Sequence, residues 1–235
     1  MHLFIFALFL SLFVFLFCLY FLVHDDFILL KKDISTEKIF NLAIVLILPT
    51  ILLARILFVV IHPNSSFFNP FIFLLFPYFP GLSLIGGGVG GFLVLLLILK
   101  YNKLPVRLLD FFSIAFLSSL PIGFLGYFLE FHTKLIAVKP LFTLIIYTAL
   151  FFLFIKFFLP KLLNGKFKDG TIGILFLILF SLTFFIESLI GDQGLKFNLK
   201  IDNLLSLFTL IISLLFLARQ EDLLEKIKKL RGGLS

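Results

Sequence analysis

Polar residues are scarce in this sequence. Only 14% of its 235 residues are charged, tryptophan is absent, and cysteine and methionine occur once each. A soluble fold must cover its exterior with polar groups, so this shortage excludes a soluble domain of this length. The lone Cys18 cannot form an internal disulfide bond and is expected to be a small buried hydrophobe. No nucleotide-binding loop, zinc-ligand spacing or serine elbow occurs, so we expect no metal and no cofactor.

Apolar residues dominate what is present. The chain is 61% hydrophobic, contains 37 phenylalanines and has a mean hydropathy of +1.21. Long apolar runs alternate with short charged connectors, a pattern typical of a polytopic membrane protein. Because a transmembrane helix needs roughly 20 apolar residues, the sequence predicts an all-α fold with seven spans. These spans are residues 3–23, 39–61, 82–99, 108–131, 135–158, 171–190 and 204–218.

The distribution of lysine and arginine predicts the orientation. The basic residues cluster in alternate connectors and near the C-terminus, so the positive-inside rule places the N-terminus outside and the C-terminus in the cytoplasm. This topology explains the net charge of +7 without a nucleic-acid partner. We expect residues 1–218 to form a seven-helix transmembrane domain and residues 219–235 a cytoplasmic basic amphipathic tail. The proline-interrupted segment 67–79 is predicted to be interfacial or re-entrant.

A glycine run begins the third predicted span. Five of the six residues from Gly86 to Gly91 are glycine, and an unbroken apolar stretch follows. Glycine inside a helix costs about 1 kcal/mol relative to alanine, so the run needs a physical reason. Its backbone amides can approach a ligand headgroup closely, or another helix can cross it at short range. The sequence leaves both explanations open.

Charged residues inside the predicted spans are few. Each costs at least about 2.5–3.5 kcal/mol to insert, so each is a candidate for a site. Arg55, Glu187 and Glu130 all lie near the predicted outer ends of their spans, level with the glycine run. Arg55 either pairs with Glu187 or snorkels to the surface, or it binds a lipid phosphate in a pocket completed by Glu187 and glycine amides.

The remaining polar residues have simpler interpretations. The carboxylates after the first span, with their neighbouring lysines, are predicted to form an ordinary solvated connector; they are Asp25, Asp26, Asp33 and Glu37. Asp110 lies at the start of the fourth span, where the dipole of its own helix stabilises a carboxylate. Without tryptophan, the aromatic belts at the membrane boundaries are expected to contain phenylalanines and a few tyrosines, namely Tyr20, Tyr78 and Tyr147.

Several segments resemble the prolipoprotein diacylglyceryl transferases. The stretch from Pro80 to Gly91, preceded by Asn69-Pro70, is similar to the family pattern G-G-[LM]-S-[IF]-H-G-G-[LM]-[IV]-G. Shorter similarities occur at Ala54-Arg55-Ile56, Leu109-Asp110-Phe111, Gly170-Thr171-Ile172 and Phe184-Phe185-Ile186-Glu187. The resemblance implies a multi-pass protein of the bacterial inner membrane. It also implies transfer of diacylglyceryl from phosphatidylglycerol, or another anionic phospholipid, to the cysteine of a lipoprotein precursor bound through its signal peptide.

The chain departs from the family at several polar positions. Ile85 stands at the family's histidine, while Phe124 and Thr183 stand at family arginines. The interpretation is therefore either an active transferase with a rearranged site or a degenerate homologue that binds lipid or a partner without transferase activity. No catalytic residue is assigned. The expected lipid- and phosphate-binding residues are Arg55, Glu187, Ser83, Gly86 and Gly87, and the expected rim residues are Glu130 and His132.

Overall fold

The computed structural model describes residues 2–63, 81–131, 138–191, 194–195 and 201–221. The elements are α1 (His2–His24), α2 (Phe27–Lys31), α3 (Thr36–Ile61), α4 (Leu84–Tyr101), α5 (Arg107–Phe131), α6 (Val138–Leu153), α7 (Leu159–Leu163), α8 (Thr171–Leu189), β1 (Ile190–Gly191), β2 (Gly194–Leu195) and α9 (Ile201–Gln220). A π-helical turn, Phe154–Phe158, joins α6 to α7, and β1 and β2 form a two-residue antiparallel pairing.

The predicted all-α fold and number of spans are confirmed. Within the described residues, seven helical segments are long and apolar enough to cross a membrane. The fifth span differs from its predicted end at residue 158, because its helical path continues to Leu163. Pro160 has no N–H to donate to the preceding turn, and the π-helical turn Phe154–Phe158 lies directly before it in this continuous path. The predicted re-entrant segment 67–79 and nearly all of the predicted tail lie outside the described residues.

Successive long helices alternate in direction, which gives the bundle two distinct ends. We call the end where α3 and α8 finish and α4 starts, near Ile61, Leu189 and Leu84, the site end. The opposite end, near Arg107 and Thr171, is the connector end. Helix α5 lies at the centre and packs against α1, α6 and α8, and its first half is buried almost continuously.

Glycines bring α4 unusually close to α3. A Cβ atom on Gly86 would lie 2.8 Å from Leu57 Cβ and 3.2 Å from Ala54 Cα. One on Gly90 would lie 2.9 Å from Leu53 Cβ. Apolar burial drives no association between helices in lipid, so close van der Waals packing of small residues must hold them together. The close helix crossing therefore accounts for Gly86 and Gly90.

Charged side chains are buried at the connector end. Arg107 Nε lies 2.8 Å from Asp26 Oδ2, and its Nη1 lies 3.1 Å from Asp169 Oδ1. The prediction of a solvated connector is wrong for Asp26, whose side chain is only 2% exposed. The fold brings α5 beside this connector, and the ion pair compensates the charge that burial would otherwise penalise.

Two carboxylates from other elements cap the start of α8. Asp110 Oδ2 accepts a hydrogen bond from Gly170 N at 2.7 Å, and its Oδ1 accepts one from Gly173 N at 2.8 Å. Asp110 lies in the first turn of α5, as predicted, and its hydrogen-bond partners belong to the start of α8. Glu221 accepts hydrogen bonds from Lys168 N at 3.1 Å and Thr171 Oγ1 at 2.6 Å. These contacts join the start of α8 to α5 and to the end of α9.

The helix crossing can be tested with Gly86→Ala. The added methyl group would press on the backbone of α3 at Ala54, so we expect the free energy of unfolding to fall by about 1–3 kcal/mol. Thermal unfolding of the purified protein in detergent measures this. Gly123→Ala is the matched control, because a Cβ there meets nothing within 4 Å. Equal stability of the two variants would contradict the close crossing.

The ion pair at the connector end can be tested with Asp26→Asn. The amide oxygen of asparagine can still accept hydrogen bonds from Ile28 N and Leu29 N, but it cannot neutralise Arg107. Arg107 keeps its contact with Asp169 but loses its buried charged partner, so denaturation should show a loss of about 1.5–3 kcal/mol. Asp25→Asn, at a side chain that is 93% exposed, should have little effect. A similar small effect for Asp26→Asn would show that the pair is unimportant for stability.

Candidate functional site

Arg55 is a buried cation at the site end. It lies on α3, is only 2% exposed, and its Nη1 donates a 2.6 Å hydrogen bond to the carbonyl of Gly81. Its guanidinium carbon lies 5.8 Å from the centroid of the Phe58 ring. Gly81 has a φ of +152°, and a Cβ there would collide with the same ring. Phe58 and the Gly81 carbonyl together orient the guanidinium beside the start of α4.

The first turn of α4 lies against Arg55's own helix. Ser83 N donates to the Ala54 carbonyl at 3.0 Å, which joins the residue before α4 to α3. Ser83 Oγ then accepts from Gly86 N at 3.2 Å as the N-cap, and Gly87 N donates to the Ser83 carbonyl at 2.9 Å. A helix N-terminus carries partial positive charge and favours anions. Arg55 therefore adds a full positive charge to a terminus that already attracts negative charge.

The predicted site residues divide between two neighbouring places. Arg55, Ser83, Gly86 and Gly87 come together where α3 crosses the start of α4. Glu187 is buried on α8, at the same end of the bundle and two residues before that helix finishes. The side chain of Glu130 and the whole of His132, predicted at the rim, lie outside the described part of the chain.

Tyr147 is a polar residue that the sequence interpretation placed wrongly. The prediction put it in an aromatic belt, but its side chain is fully buried on α6. Its ring stacks on Phe124 of α5, with centroids 5.3 Å apart and planes 9° apart. Glu187 is within electrostatic reach of its hydroxyl. A tyrosine within an apolar run gives no sequence signal that separates a core position from a membrane boundary.

An apolar cavity of about 300 Å³ lies between α1, α3, α4, α5 and α8. Gly87, Gly88 and Gly91 form part of one wall. Four of its lining residues carry hydroxyls, and each donates to a carbonyl of its own helix, which leaves the cavity surface apolar; they are Ser11, Thr50, Ser113 and Ser119.

The cavity lies deeper in the bundle than Arg55. Thr50 lines it and precedes Arg55 by five residues on α3, a distance of roughly 8 Å along the helix. A cationic site therefore lies nearer the end of the bundle and an apolar space nearer its middle. This arrangement suits an amphiphile with an anionic head and an apolar chain.

Comparison with known proteins identifies the family. A family model described as prolipoprotein diacylglyceryl transferase matches residues 1–219. Searches of curated proteins and of solved structures gave no match. The family match covers all seven candidate spans except the last residue of the seventh, including both parts of the site. The chain therefore belongs to the prolipoprotein diacylglyceryl transferase family.

Proposed function

We propose that this protein binds an anionic phospholipid at the site end and transfers its diacylglyceryl group to the cysteine of a lipoprotein precursor. The observation that carries this proposal is the buried Arg55 guanidinium beside the start of α4, with an apolar cavity nearer the middle of the bundle. Phosphatidylglycerol is the proposed donor, and the signal peptide of the precursor is the proposed partner. The site end then faces the outer leaflet of the inner membrane, with residues 219–235 as a cytoplasmic tail.

The headgroup phosphate is proposed to bind at Arg55. A guanidinium presents N–H donors in a planar fork that matches phosphate oxygens, and the nearby helix N-terminus adds a favourable dipole. Burial strengthens such charge-assisted hydrogen bonds because water does not compete for them. The Gly81 carbonyl holds the guanidinium in place before the lipid arrives, which reduces the entropy lost on binding.

An acyl chain of the same lipid is proposed to occupy the apolar cavity. Three other glycines of the same run, Gly87, Gly88 and Gly91, form part of one cavity wall and place no side chain there. Transfer of a hydrocarbon chain from the bilayer to this cavity exchanges one apolar environment for another, so it contributes little affinity. Its effect is to fix the glyceryl carbon relative to Arg55.

The proposed reaction is a displacement at the glyceryl carbon. The cysteine sulfur forms a bond to this carbon, the carbon–oxygen bond to phosphate breaks, and the phosphorylated headgroup departs. Arg55 stabilises the negative charge that the leaving phosphate gains. The thiol must lose its proton to become a good nucleophile, and in the overall balance the departing phosphorylated headgroup takes up that proton.

A second candidate function is lipid binding without transfer. Ile85 is 1% exposed and sits at the position of the family's histidine, so this position offers neither a proton donor nor an acceptor. Phe124, at the position of a family arginine, is stacked on Tyr147. These two apolar replacements favour a homologue that keeps the lipid site and has lost the reaction.

Complementation distinguishes the two functions. In a bacterium depleted of its own transferase, the wild-type chain should restore lipoprotein maturation, and Arg55→Ala should reduce transfer roughly 10²–10³-fold. Arg219→Ala, at an exposed arginine of the connector end, is the matched control and should still rescue. Failure of the wild type to rescue, together with retained phosphatidylglycerol binding, would establish the second function and exclude the first.

The cavity has a separate test at Gly87. A Cβ there meets only Ala54 Cβ at 3.5 Å, an ordinary contact, so Gly87→Ala should fold and bind lipid normally. Gly87→Leu adds a larger side chain to the cavity wall and should slow transfer from long-chain phosphatidylglycerol about tenfold or more, because the glyceryl carbon is no longer fixed relative to Arg55. Short-chain analogues should be less affected. Equal losses for both chain lengths would exclude the cavity as the acyl-chain site.

A further inference from the structure

Burial of the Tyr147 hydroxyl costs free energy. The side chain is 0% exposed, and Oη has no hydrogen-bond partner within the described part of the chain. Its ring neighbours are Phe124 and Phe180, with centroids 5.3 Å and 6.1 Å away. A buried hydroxyl without a partner costs about 1–3 kcal/mol, whereas phenylalanine would fill the same space without that cost. The oxygen atom therefore needs an explanation other than packing.

The direction of the side chain follows from the helix. Each Cα–Cβ bond in an α-helix tilts toward the N-terminus, and α6 begins at the site end, so Tyr147 leans toward that end. The ring lies beside Phe180 on α8, and Glu187 follows Phe180 by two turns on the same face. Glu187 is thus roughly 10 Å nearer the site end. Tyr147 therefore leans toward the end of the bundle at which Glu187 lies.

Other polar groups accompany this pair. Thr143 precedes Tyr147 by one turn on α6 and is 4% exposed, and Thr183 precedes Glu187 by one turn on α8 and is 6% exposed. Thr183 Oγ1 donates to the Leu179 carbonyl at 2.7 Å, so its hydroxyl already has a partner within α8. Buried polar residues therefore extend from Tyr147 toward the site end within an otherwise aromatic core.

We propose that Tyr147 and Glu187 bind a hydroxyl of the substrate's polar headgroup, an inference that rests on the proposed phospholipid function. An alcohol group can accept a hydrogen bond from the Tyr147 hydroxyl and donate one to the Glu187 carboxylate at the same time. Arg55 binds the phosphate, and Tyr147 and Glu187 bind the hydroxyl-bearing part of the headgroup on the far side of that phosphate. Tyr147 is a specificity residue that touches the headgroup, and the cost of its buried hydroxyl is recovered when the headgroup binds.

The test compares two lipids of equal charge and equal acyl chains. The probes are phosphatidylglycerol and phosphatidylpropanol, whose headgroup has no hydroxyl, with the full-length protein in detergent. The wild type should bind phosphatidylglycerol roughly three- to tenfold more tightly, the effect of one or two hydrogen bonds. Tyr147→Phe should abolish this preference and leave phosphatidylpropanol affinity unchanged. Tyr20→Phe, at a tyrosine that is 39% exposed, is the matched control and should keep the preference.

A stability measurement separates recognition from a structural role. Tyr147→Phe removes one oxygen atom that has no partner within the described residues, so the lipid-free protein should unfold at an equal or higher temperature. A less stable or misfolded Tyr147→Phe protein would overturn the proposal, because the hydroxyl would then be structural. Retention of the lipid preference in this variant would overturn the assignment of Tyr147 alone. A wild type that binds neither lipid would overturn the proposed function as well.

Discussion

The close contact between α3 and α4 is the constraint on which the site end depends. Gly86 and Gly90 let the two backbones approach to a distance that any side chain would prevent. This approach brings Ser83 N within hydrogen-bonding distance of the Ala54 carbonyl, and the Gly81 carbonyl to Arg55. Other glycines of the same run, Gly87, Gly88 and Gly91, line the apolar cavity. The position of Arg55 beside the start of α4 is thus a consequence of this helix crossing.

The described contacts of the buried arginines differ between the two ends of the bundle. At the connector end, Arg107 contacts the carboxylates of Asp26 and Asp169, while Asp110 accepts two backbone hydrogen bonds. These contacts join segments far apart in sequence and fix how α5 and α8 stand side by side. At the site end, the described hydrogen bond of Arg55 goes to a neutral carbonyl. This carbonyl orients the guanidinium beside the start of α4.

Aromatic packing has replaced polar chemistry around α5 and α6. Phe124 and Tyr147 stack face to face, and Phe180 lies against the tyrosine ring. Ile85 is buried beside the glycine run at a position where the family has histidine. The crossing of α3 and α4 does not depend on these positions, because it is made by Gly86 and Gly90. Any headgroup recognition on the α6–α8 side must rely on the polar atoms that remain there.

Much of the fold could be predicted from the sequence. The length and polarity of the apolar runs determined the seven spans, because hydropathy reports how a segment partitions between lipid and water. The glycine run and the intramembrane Arg55 were also evident, since each is costly in a membrane helix without a specific reason. Both lie within residues 1–219, which the family model matches.

Only the tertiary structure decided which polar residues meet. Asp26 looked like a solvated connector residue and Tyr147 like a boundary residue, yet both are buried. Asp26 acquires its partner from a residue 81 positions away, and no local pattern predicts such a contact. The cavity is likewise formed by five helices together. Hydropathy determines which segments enter the membrane, whereas the packing of side chains between helices determines which residues become neighbours.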